Sequence, residues 1–491
     1  MRFMTLIGLC GLIAAAGCSG SDTSGTGPGG DYSATIVRTT YGVPHITADN
    51  YGDLGFGNGY AYAQDNVCLL MREIVAANGQ TARYFGEDEG NVADDFVYTL
   101  LNSSQVIEEE FFPALTDTMI EALEGYAAGF NQYLADTGTE NLAEDCSGED
   151  WVRPITSVDM GKVVRKLLLR GSTDQLTSAV VAAEPPSQSM AQLLPLESAR
   201  YDVRDPMPEP TTMGSNGYGI GKDGSQTDYG LLLGNPHFPW RGNLRFYMQH
   251  LTIPGELDIM GATITGLPIV VIGFNQNVAW SHTVATSRRF SIYEVELVDG
   301  DPMKYVYDDE ERDIEAVPVT IEVLLENGTT EERTQNIYFT HYGPVIDGGA
   351  LNSLIAGWPT LFGTLLTYRD ANLTNNRATN YWEAMDHARS IDDVEEACKT
   401  IGNPWVNTTV RRSTVTSRSC RTSPARSSPC ATTAPSRMGS MPPAFLHSTA
   451  PRASANGVAT KMRLRRGFSA MGTCRSCETA HTWATPMTAT G

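Results

Sequence analysis

The stretch TTMGSNGYGIG, residues 211–221, determines how the rest of this 491-residue sequence is interpreted. It follows a polar, proline-rich segment. If the peptide bond between Gly214 and Ser215 is cut, Ser215 carries both a hydroxyl nucleophile and an α-amino group. That amine has an ordinary pKa of about 7.7–8.0, against about 10.4 for lysine, so it can act as a general base near neutral pH. Such a serine is suited to amide hydrolysis.

Further motifs occur in order around this serine. They are TYGVPHI at 40–46, GYAYAQDN at 59–66, WVRPIT at 151–156, NPH at 235–237, ITGLP at 264–268 and AWSHTV at 279–284. Together they resemble the penicillin acylase family of N-terminal-nucleophile hydrolases, in its acyl-homoserine lactone and aculeacin acylase branch. The resemblance implies an α+β protein, a four-layer αββα sandwich with a mostly helical amino-terminal chain.

Periodicity alone supports the α+β class. Residues 32–48 alternate like a strand, whereas 56–80 and 104–137 repeat like helices. After Ser215, short apolar runs broken by Gly, Asn and Pro predict strands. These runs lie at 229–233, 246–251, 267–274 and 278–281. The front third is therefore expected to be helical and the part after Ser215 to form sheets.

The sequence divides into six parts by composition and motif. They are a signal at 1–17, a tether at 18–31, an α chain at 32–178, a spacer at 179–214, the first part of a β chain at 215–409 and a tail at 410–491. The spacer is rich in Pro, Ser, Glu and Gln, so we expect it to be excised, with a plain surface loop as the alternative. The α and β chains would then come from one precursor.

The amino terminus predicts export. Its apolar run is too short to span a bilayer and is typical of a signal peptide. Residues 15–18, AAGC, resemble a bacterial lipoprotein processing box, in which Cys18 would be lipidated, and Ser19 favours the outer membrane. The prediction is a periplasmic, outer-membrane-anchored lipoprotein; the alternative is a secretory signal cut nearby.

Net charge limits the partners. At −22, the chain would be repelled by nucleic acid and by an anionic membrane surface, which leaves membrane contact to the lipid anchor at Cys18. Cys68, Cys146 and Cys398 lie in the body, and either a Cys68–Cys146 or a Cys146–Cys398 disulfide is possible. Neutral or apolar small molecules are the expected ligands.

The resemblance also assigns roles to individual residues. Ser215 is the nucleophile, and Gly214 has no side chain to obstruct its own carbonyl, which precedes Ser215. His237 matches a histidine that tunes the amine of the nucleophile, and Val284 matches a residue whose backbone N–H binds the oxyanion. Phe238 and Phe246 match positions that line the acyl pocket, although either could be plain core.

No cofactor is expected, and no metal. Some penicillin acylases hold calcium soon after the oxyanion valine, but this sequence reads ATSRRF at residues 285–290. Two arginines are poor neighbours for a cation that binds oxygen ligands.

Composition changes abruptly at about Thr409. Residues 410–491 hold 12 Lys or Arg and one acid, and their Ser, Thr, Arg, Ala and Pro content is typical of disorder. The tail also resembles out-of-frame translation. Over residues 482–491, the third base of each codon can be read together with the first two bases of the next codon. This shifted frame permits VGNSNDSYW, which is similar to the family's oxyanion-asparagine segment. A frameshift near Thr409 is therefore predicted, with a genuine basic tail as the alternative.

The predicted function is that of an autoprocessed serine amidohydrolase. It would release a carboxylic acid from small N-acyl amides such as acyl-homoserine lactones, lipopeptides or penicillins. Because the family's oxyanion asparagine and supporting arginine have no counterpart in this frame, a truncated, inactive product is one alternative. A lipoprotein that binds acyl ligands without turnover is the other.

Overall fold

A computed structural model describes residues 21–27, 30–87, 91–143, 145–186, 214–226, 229–285, 287, 289–351, 357–360, 363–412 and 417–421. The predicted signal with Cys18, residues 187–213 of the predicted spacer and residues 422–491 of the tail lie outside the described residues. Among the helices of the described part, none is long and apolar enough to cross a bilayer.

Helices dominate the part before the spacer. They are α1 Tyr51–Ala77, α2 Thr81–Phe85, α3 Asn91–Leu101, α4 Ser104–Val106, α5 Asp117–Thr137, α6 Ser157–Leu169 and α7 Thr177–Val181. Three more follow Ser215: α8 Gly348–Leu351, α9 Ala378–Asp386 and α10 Ile391–Lys399.

Strands dominate the part after Ser215. Before it lie β1 Ser21–Gly27, β2 Gly30–Arg38 and β3 Pro44–Thr47. From it onward lie β4 Gly214–Ile220, β5 Leu231–His237, β6 Phe246–Ile253, β7 Leu257–Ile264, β8 Ile272–Phe274, β9 Val278–Val284, β10 Phe290–Val298, β11 Asp301–Tyr307, β12 Glu310–Asp313, β13 Glu315–Leu324, β14 Thr330–Thr340, β15 Gly343–Ile346, β16 Thr364–Asp370, β17 Val406–Arg412 and β18 Ser417–Arg421.

The described strands form three sheets. A nine-stranded sheet runs β1-β2-β3-β6-β7-β8-β9-β17-β18, and a seven-stranded sheet runs β12-β11-β10-β16-β15-β14-β13. Strands β4 and β5 pair only with each other in the described residues. In the larger sheet β3 pairs with β6 in parallel, so a strand from before the spacer lies beside one from after Ser215. The predicted α+β class is confirmed.

Helices α1 and α5 pack backbone against backbone. A side chain on Gly55 or Gly59 would overlap carbonyls of α5, and one on Gly125 or Gly129 would overlap carbonyls of α1. The glycines of both helices are therefore required by the close approach, because only a residue without Cβ fits there. This pair fixes the layer of helices that covers the nine-stranded sheet in one continuous apolar core.

Several predicted elements differ from the structure in detail. The strand predicted at 32–48 is two strands, β2 and β3, because the chain turns at Gly42 with a left-handed φ of 79°. The helix predicted at 104–137 is interrupted before Thr116, after a short 3₁₀ turn that contains Pro113. The strand predicted at 267–274 is reduced to β8, because the chain turns at Thr265 and Gly266, both with positive φ.

Both ends of the predicted spacer contain ordered structure. Ala179, Val180 and Ala183 are buried, and the Ala179 carbonyl accepts a hydrogen bond from the Asp347 amide at 2.8 Å. At the other end, Gly214 begins β4. The apolar residues at the start of the predicted spacer thus belong to the core. A spacer that begins at residue 179 could not be removed without loss of packing, so its predicted start is too early.

The predicted boundary at residue 409 falls inside β17. Val410 and Arg411 continue the ladder with β9, opposite Trp280 and Ala279. A backbone ladder can continue across such a boundary because its hydrogen bonds do not depend on side-chain identity. The first residues assigned to a disordered tail are therefore strand.

The disulfide alternatives are resolved by the structure. Cys68 on α1 is bonded to Cys146, 78 residues later, whereas Cys398 is buried and takes no part in a disulfide within the described residues. The bond lies within the part that precedes Ser215.

Candidate active site

Ser215 lies at the start of a two-stranded hairpin. In the β4–β5 register Gly214 is opposite His237, and Ser215 is opposite Pro236. The Ser215 hydroxyl donates to the carbonyl oxygen of Gly214, the residue before it, and the side chain is half-buried. The nucleophile and the bond that it would cut are therefore adjacent.

His237 faces the Gly214 backbone. Its Nε2 lies 2.7 Å from the Asn235 side-chain oxygen, which can only accept, so Nε2 carries the proton in the neutral ring. Nδ1 is then the nitrogen with a free lone pair. A Cβ built on Gly214 would lie 3.5 Å from this Nδ1, so the imidazole lies directly beside that glycine. The arrangement places a proton acceptor next to the Gly214–Ser215 junction.

The hairpin lies on the large sheet through two more glycines. A Cβ on Gly217 would lie 2.9 Å from the Thr409 hydroxyl, and one on Gly234 would lie 2.7 Å from the Ser281 hydroxyl. Gly217 and Gly234 are opposite each other in the register. Their missing side chains let β4 and β5 rest on β9 and β17.

An apolar pocket opens beside this hairpin and encloses about 400 Å³, its mouth included. Phe238 directly follows β5, and its ring centroid lies 5.0 Å from Phe246 and 6.1 Å from the stacked Trp405. The lining residues are Leu167, Phe238, Phe246, Ile264, Val271, Ile272, His282, Thr283, Val284, Trp382, Trp405 and Val406.

The structure therefore brings the predicted site residues into one region. Phe238, Phe246 and Val284 line the same pocket, and His237 is adjacent in sequence to Phe238. Val284 ends β9 opposite Val406, and its carbonyl accepts a hydrogen bond from the side-chain Nδ2 of Asn407 at 3.4 Å. Their proposed roles in chemistry stay predictions.

His282 is a pocket residue to which the sequence assigned no function. It is buried, and its Nε2 accepts from the indole N–H of Trp382 at 3.1 Å. Nδ1 therefore carries the proton and donates to the Thr408 hydroxyl at 3.2 Å. Burial lowers the pKa of His282 to about 4, because a charged imidazolium would lose its hydration. At neutral pH this wall of the pocket is uncharged.

Trp382, Trp405 and Leu167 were also missed as pocket residues. They come from α9, the segment before β17, and α6, so no local motif joins them. Trp405 is fixed by its indole N–H, which donates to the Leu167 carbonyl at 3.0 Å. No strand was predicted where β17 lies, so the position of Trp405 directly before it gave no local signal.

Asp65 of the GYAYAQDN motif and the arginine-containing segment at 285–290 lie apart from the pocket lining. Asp65 accepts from Arg38 at 2.8 Å and from the Tyr247 hydroxyl at 2.7 Å, a structural network at the surface of α1. In the arginine-containing segment, the buried Arg289 guanidinium donates to the carbonyls of Ala285 and Trp405. A cation at these carbonyl oxygens would meet a guanidinium, so the electrostatics oppose calcium there.

Comparison with known families is decisive for the class of protein. The Penicillin amidase family model matches residues 33–414. The chain belongs to the penicillin amidase family. It is 40% identical over 418 residues to acyl-homoserine lactone acylase PvdQ of Pseudomonas fluorescens strain Pf0-1, which covers 83% of this chain and 52% of that protein. It is 34% identical over 418 residues to aculeacin-A acylase of Actinoplanes utahensis, covering 81% of this chain and 50% of that protein.

The chain thus spans about half the length of these family members. Among solved structures, a thermostable penicillin G acylase from Alcaligenes faecalis in an orthorhombic form aligns with a TM-score of 0.34 at 18% identity. That alignment covers 43% of this chain and 35% of the other. Family membership, and with it the resemblance drawn from the motifs, is confirmed by the sequence relatives.

Proposed function

We propose that this chain is the precursor of a serine acylase that cuts its own Gly214–Ser215 bond and then hydrolyses N-acyl amides. The observation that carries the proposal is the position of Ser215. Its hydroxyl contacts the preceding carbonyl, and the hairpin that holds it leads directly into an apolar pocket.

Self-cleavage would begin with attack of the Ser215 Oγ on the carbonyl carbon of Gly214. The C–N bond breaks, the Ser215 nitrogen takes the hydroxyl proton and becomes a free amine, and Gly214 is left as an ester on Oγ. The Nδ1 lone pair of His237 can relay that proton. Water then hydrolyses the ester and frees the hydroxyl, so the products are a carboxylate at Gly214 and an amino terminus at Ser215.

Substrate hydrolysis would use the same two groups. The freed amine accepts the hydroxyl proton while Oγ attacks the substrate amide, and the proton passes to the leaving amine. An acyl-enzyme on Ser215 remains, and water releases the carboxylic acid. The backbone N–H of Val284 would bind the oxyanion, an interaction that typically contributes about 2.7–4 kcal/mol to catalysis.

The pocket supports an apolar acyl group as the recognised part of the substrate. Phe238, Phe246 and Trp405 offer ring faces, and the neutral His282 adds no charge. Two relatives are named as acylases of acyl-homoserine lactones and of aculeacin A. We propose an amide-linked acyl group as the feature common to their substrates and to the substrate of this chain. Penicillins stay a third candidate class.

The proposal includes the remaining predictions for the precursor. The α chain and the β chain from Ser215 would pack as a four-layer αββα sandwich, and export with lipidation at Cys18 would place the enzyme at the periplasmic side of the outer membrane. Each of these follows from the motifs quoted above.

The experiment is mass spectrometry of the purified full chain. We expect a fragment that begins at Ser215 in the native protein and none in Ser215→Ala, whereas Ser225→Ala, a nearby control, is processed normally. Fatty-acid release from an N-acyl-homoserine lactone should appear only with processed protein, and only from a gene whose reading frame after Thr409 supplies the family's oxyanion asparagine. An intact chain that still releases the acid would overturn the mechanism.

We also propose that the sequence is out of frame shortly after Thr409. Arg411 supports this, because its side chain is buried and its Nε and both Nη atoms have no hydrogen-bond partner within the described residues. A buried charge without a partner is unfavourable, and a position in a sheet core normally holds an apolar or small residue. Resequencing the codons for residues 405–412 tests the proposal, and an unchanged reading frame would refute it.

A further inference from the structure

Two histidines from separate strands meet on the outer face of the large sheet. His45 on β3 and His250 on β6 are direct register neighbours, and their Nδ1 atoms are 2.7 Å apart. Both side chains are partly exposed, and the rings meet edge to face, with centroids 4.8 Å apart. The acylase chemistry proposed above makes no use of them.

A carboxylate fixes which nitrogen of His250 is free. Its Nε2 lies 2.8 Å from Asp258 Oδ1, and the other Asp258 oxygen accepts from Gln276 at 3.3 Å. A carboxylate at neutral pH only accepts, so Nε2 of His250 carries the proton and Nδ1 holds a lone pair directed at His45. His45 then donates its Nδ1 proton to this lone pair.

We propose that this pair is a copper(II) site, with the two Nδ1 atoms as ligands and Asp258 holding His250 in position. A carboxylate on the far nitrogen of a ligating histidine is the usual support of a metal-bound imidazole. On binding, the ion replaces the hydrogen bond between the rings. His45 moves its proton from Nδ1 to Nε2, and the two rings turn so that both Nδ1 lone pairs face the ion while the rings stay neutral. Water completes the coordination.

The 2.7 Å spacing belongs to the hydrogen bond between the rings, and binding a tetragonal ion changes it less than binding a tetrahedral one does. With metal–nitrogen bonds of about 2.0 Å, two neighbouring ligands at a right angle are about 2.8 Å apart, close to the spacing of this pair, whereas a tetrahedral ion needs about 3.3 Å. Copper(II) prefers the first geometry and zinc the second. Copper also has the highest affinity for nitrogen sites among the first-row divalent ions.

The site would join the two parts of the processed protein. His45 precedes the spacer and His250 follows Ser215, so an ion bound by both connects the α chain and the β chain once the proposed cleavage has occurred. That consequence rests on the proposed function, whereas metal binding itself does not and is measurable on the uncut chain.

The test is titration of the full chain with CuSO4, followed by calorimetry and electron paramagnetic resonance. We expect one ion per chain with superhyperfine coupling to two nitrogens, and weaker binding of Ni²⁺ and Zn²⁺. His250→Gln should lower copper affinity at least tenfold and leave coupling to one nitrogen. Asp258→Asn should lower affinity by about 10- to 100-fold. His341→Gln, at an exposed histidine in the turn between β14 and β15, is the control and should change nothing.

Circular dichroism establishes that each variant is folded, and His45→Gln is a second ligand variant if His250→Gln is not. Retained two-nitrogen coupling in both ligand variants would overturn the assignment, as would zinc binding tighter than copper. Binding that has the same affinity in the native chain and in His250→Gln would mean adventitious surface copper only, and would also refute it.

Discussion

Replacement of Arg411 by leucine is expected to stabilise the protein. The side chain is 2% exposed and lies against Gly230, and its three guanidinium nitrogens lack partners in the described residues. Burial accordingly lowers the pKa of the guanidinium. Each buried polar atom without a partner costs about 1–3 kcal/mol, and replacing buried charged groups by well-packed apolar ones has stabilised proteins by about 1–4 kcal/mol.

Taking about 1 kcal/mol for each of the three nitrogens, we expect Arg411→Leu to raise the free energy of unfolding by about 3 kcal/mol. Arg165 is the matched control, because it is equally buried but donates to Asn376 at 2.9 Å and to the Leu101 carbonyl at 3.2 Å. Arg165→Leu removes satisfied bonds and should destabilise. The assay is urea unfolding followed by far-ultraviolet circular dichroism.

A second comparison isolates the contact with Gly230. A methyl group there would overlap the Arg411 guanidinium, so Gly230→Ala should destabilise the native chain and cost much less in the Arg411→Leu background. If Arg411→Leu instead lowers stability as Arg165→Leu does, Arg411 has an anionic partner and the reasoning fails. In that case Arg411 no longer supports an altered reading frame.

Three further predictions concern stability. The pKa of His282 is about 4 when folded and about 6.5 when unfolded, so the unfolded state binds more protons between these values, and stability falls by about 3 kcal/mol as pH drops from 6.5 to 4. In His282→Gln this part of the pH dependence, measured by urea unfolding, should disappear. Cys68→Ser opens a loop of 78 residues and should cost up to about 4.5 kcal/mol, read from the urea midpoint without reductant. Gly129→Ala places a methyl group onto the Phe56 carbonyl and should cost about 3 kcal/mol in the same assay, whereas Gly221→Ala has open space and should cost little.

Each of these has a contrary result. An unchanged pH slope in His282→Gln would mean that other groups cause the acid sensitivity. Equal stability of native and Cys68→Ser proteins would mean that the bond is not formed in solution. If Gly129→Ala and Gly221→Ala were equally mild, the two helices would be further apart than the structure shows.

The sequence predicted the candidate nucleophile and its neighbours better than the residues that line the pocket. Ser215 and His237 were predicted from two motifs that the pairing of β4 with β5 brings together, and Phe238 directly follows the second motif. Trp382 and Trp405 lie far from that motif and enter the pocket only when α9 and β17 pack on β9, so spacing along the chain contained no sign of their meeting. The place of His282 in the pocket wall was missed for the same reason, since its partners Trp382 and Thr408 are 100 and 126 residues away.

The predicted boundaries of the spacer and of the tail differ from the structure where composition and packing disagree. The spacer was assigned from polar content, yet Ala179 and Val180 are buried because α7 packs against the smaller sheet. The tail was assigned from charge, yet Val410 is buried because the ladder with β9 carries the backbone past the change in composition. Tertiary contacts decide both boundaries, and a local window does not contain them.

The parallel pairing of β3 with β6 determines how a nicked form of this protein should behave. His45, Ile46 and Thr47 are matched with residues 250–252, so the ladder spans the spacer without depending on it. Cutting the bond between Gly214 and Ser215 removes no residue pair of that ladder and leaves the shared apolar core unchanged. The two pieces should therefore migrate as one particle in native size measurements and separate only in denaturant.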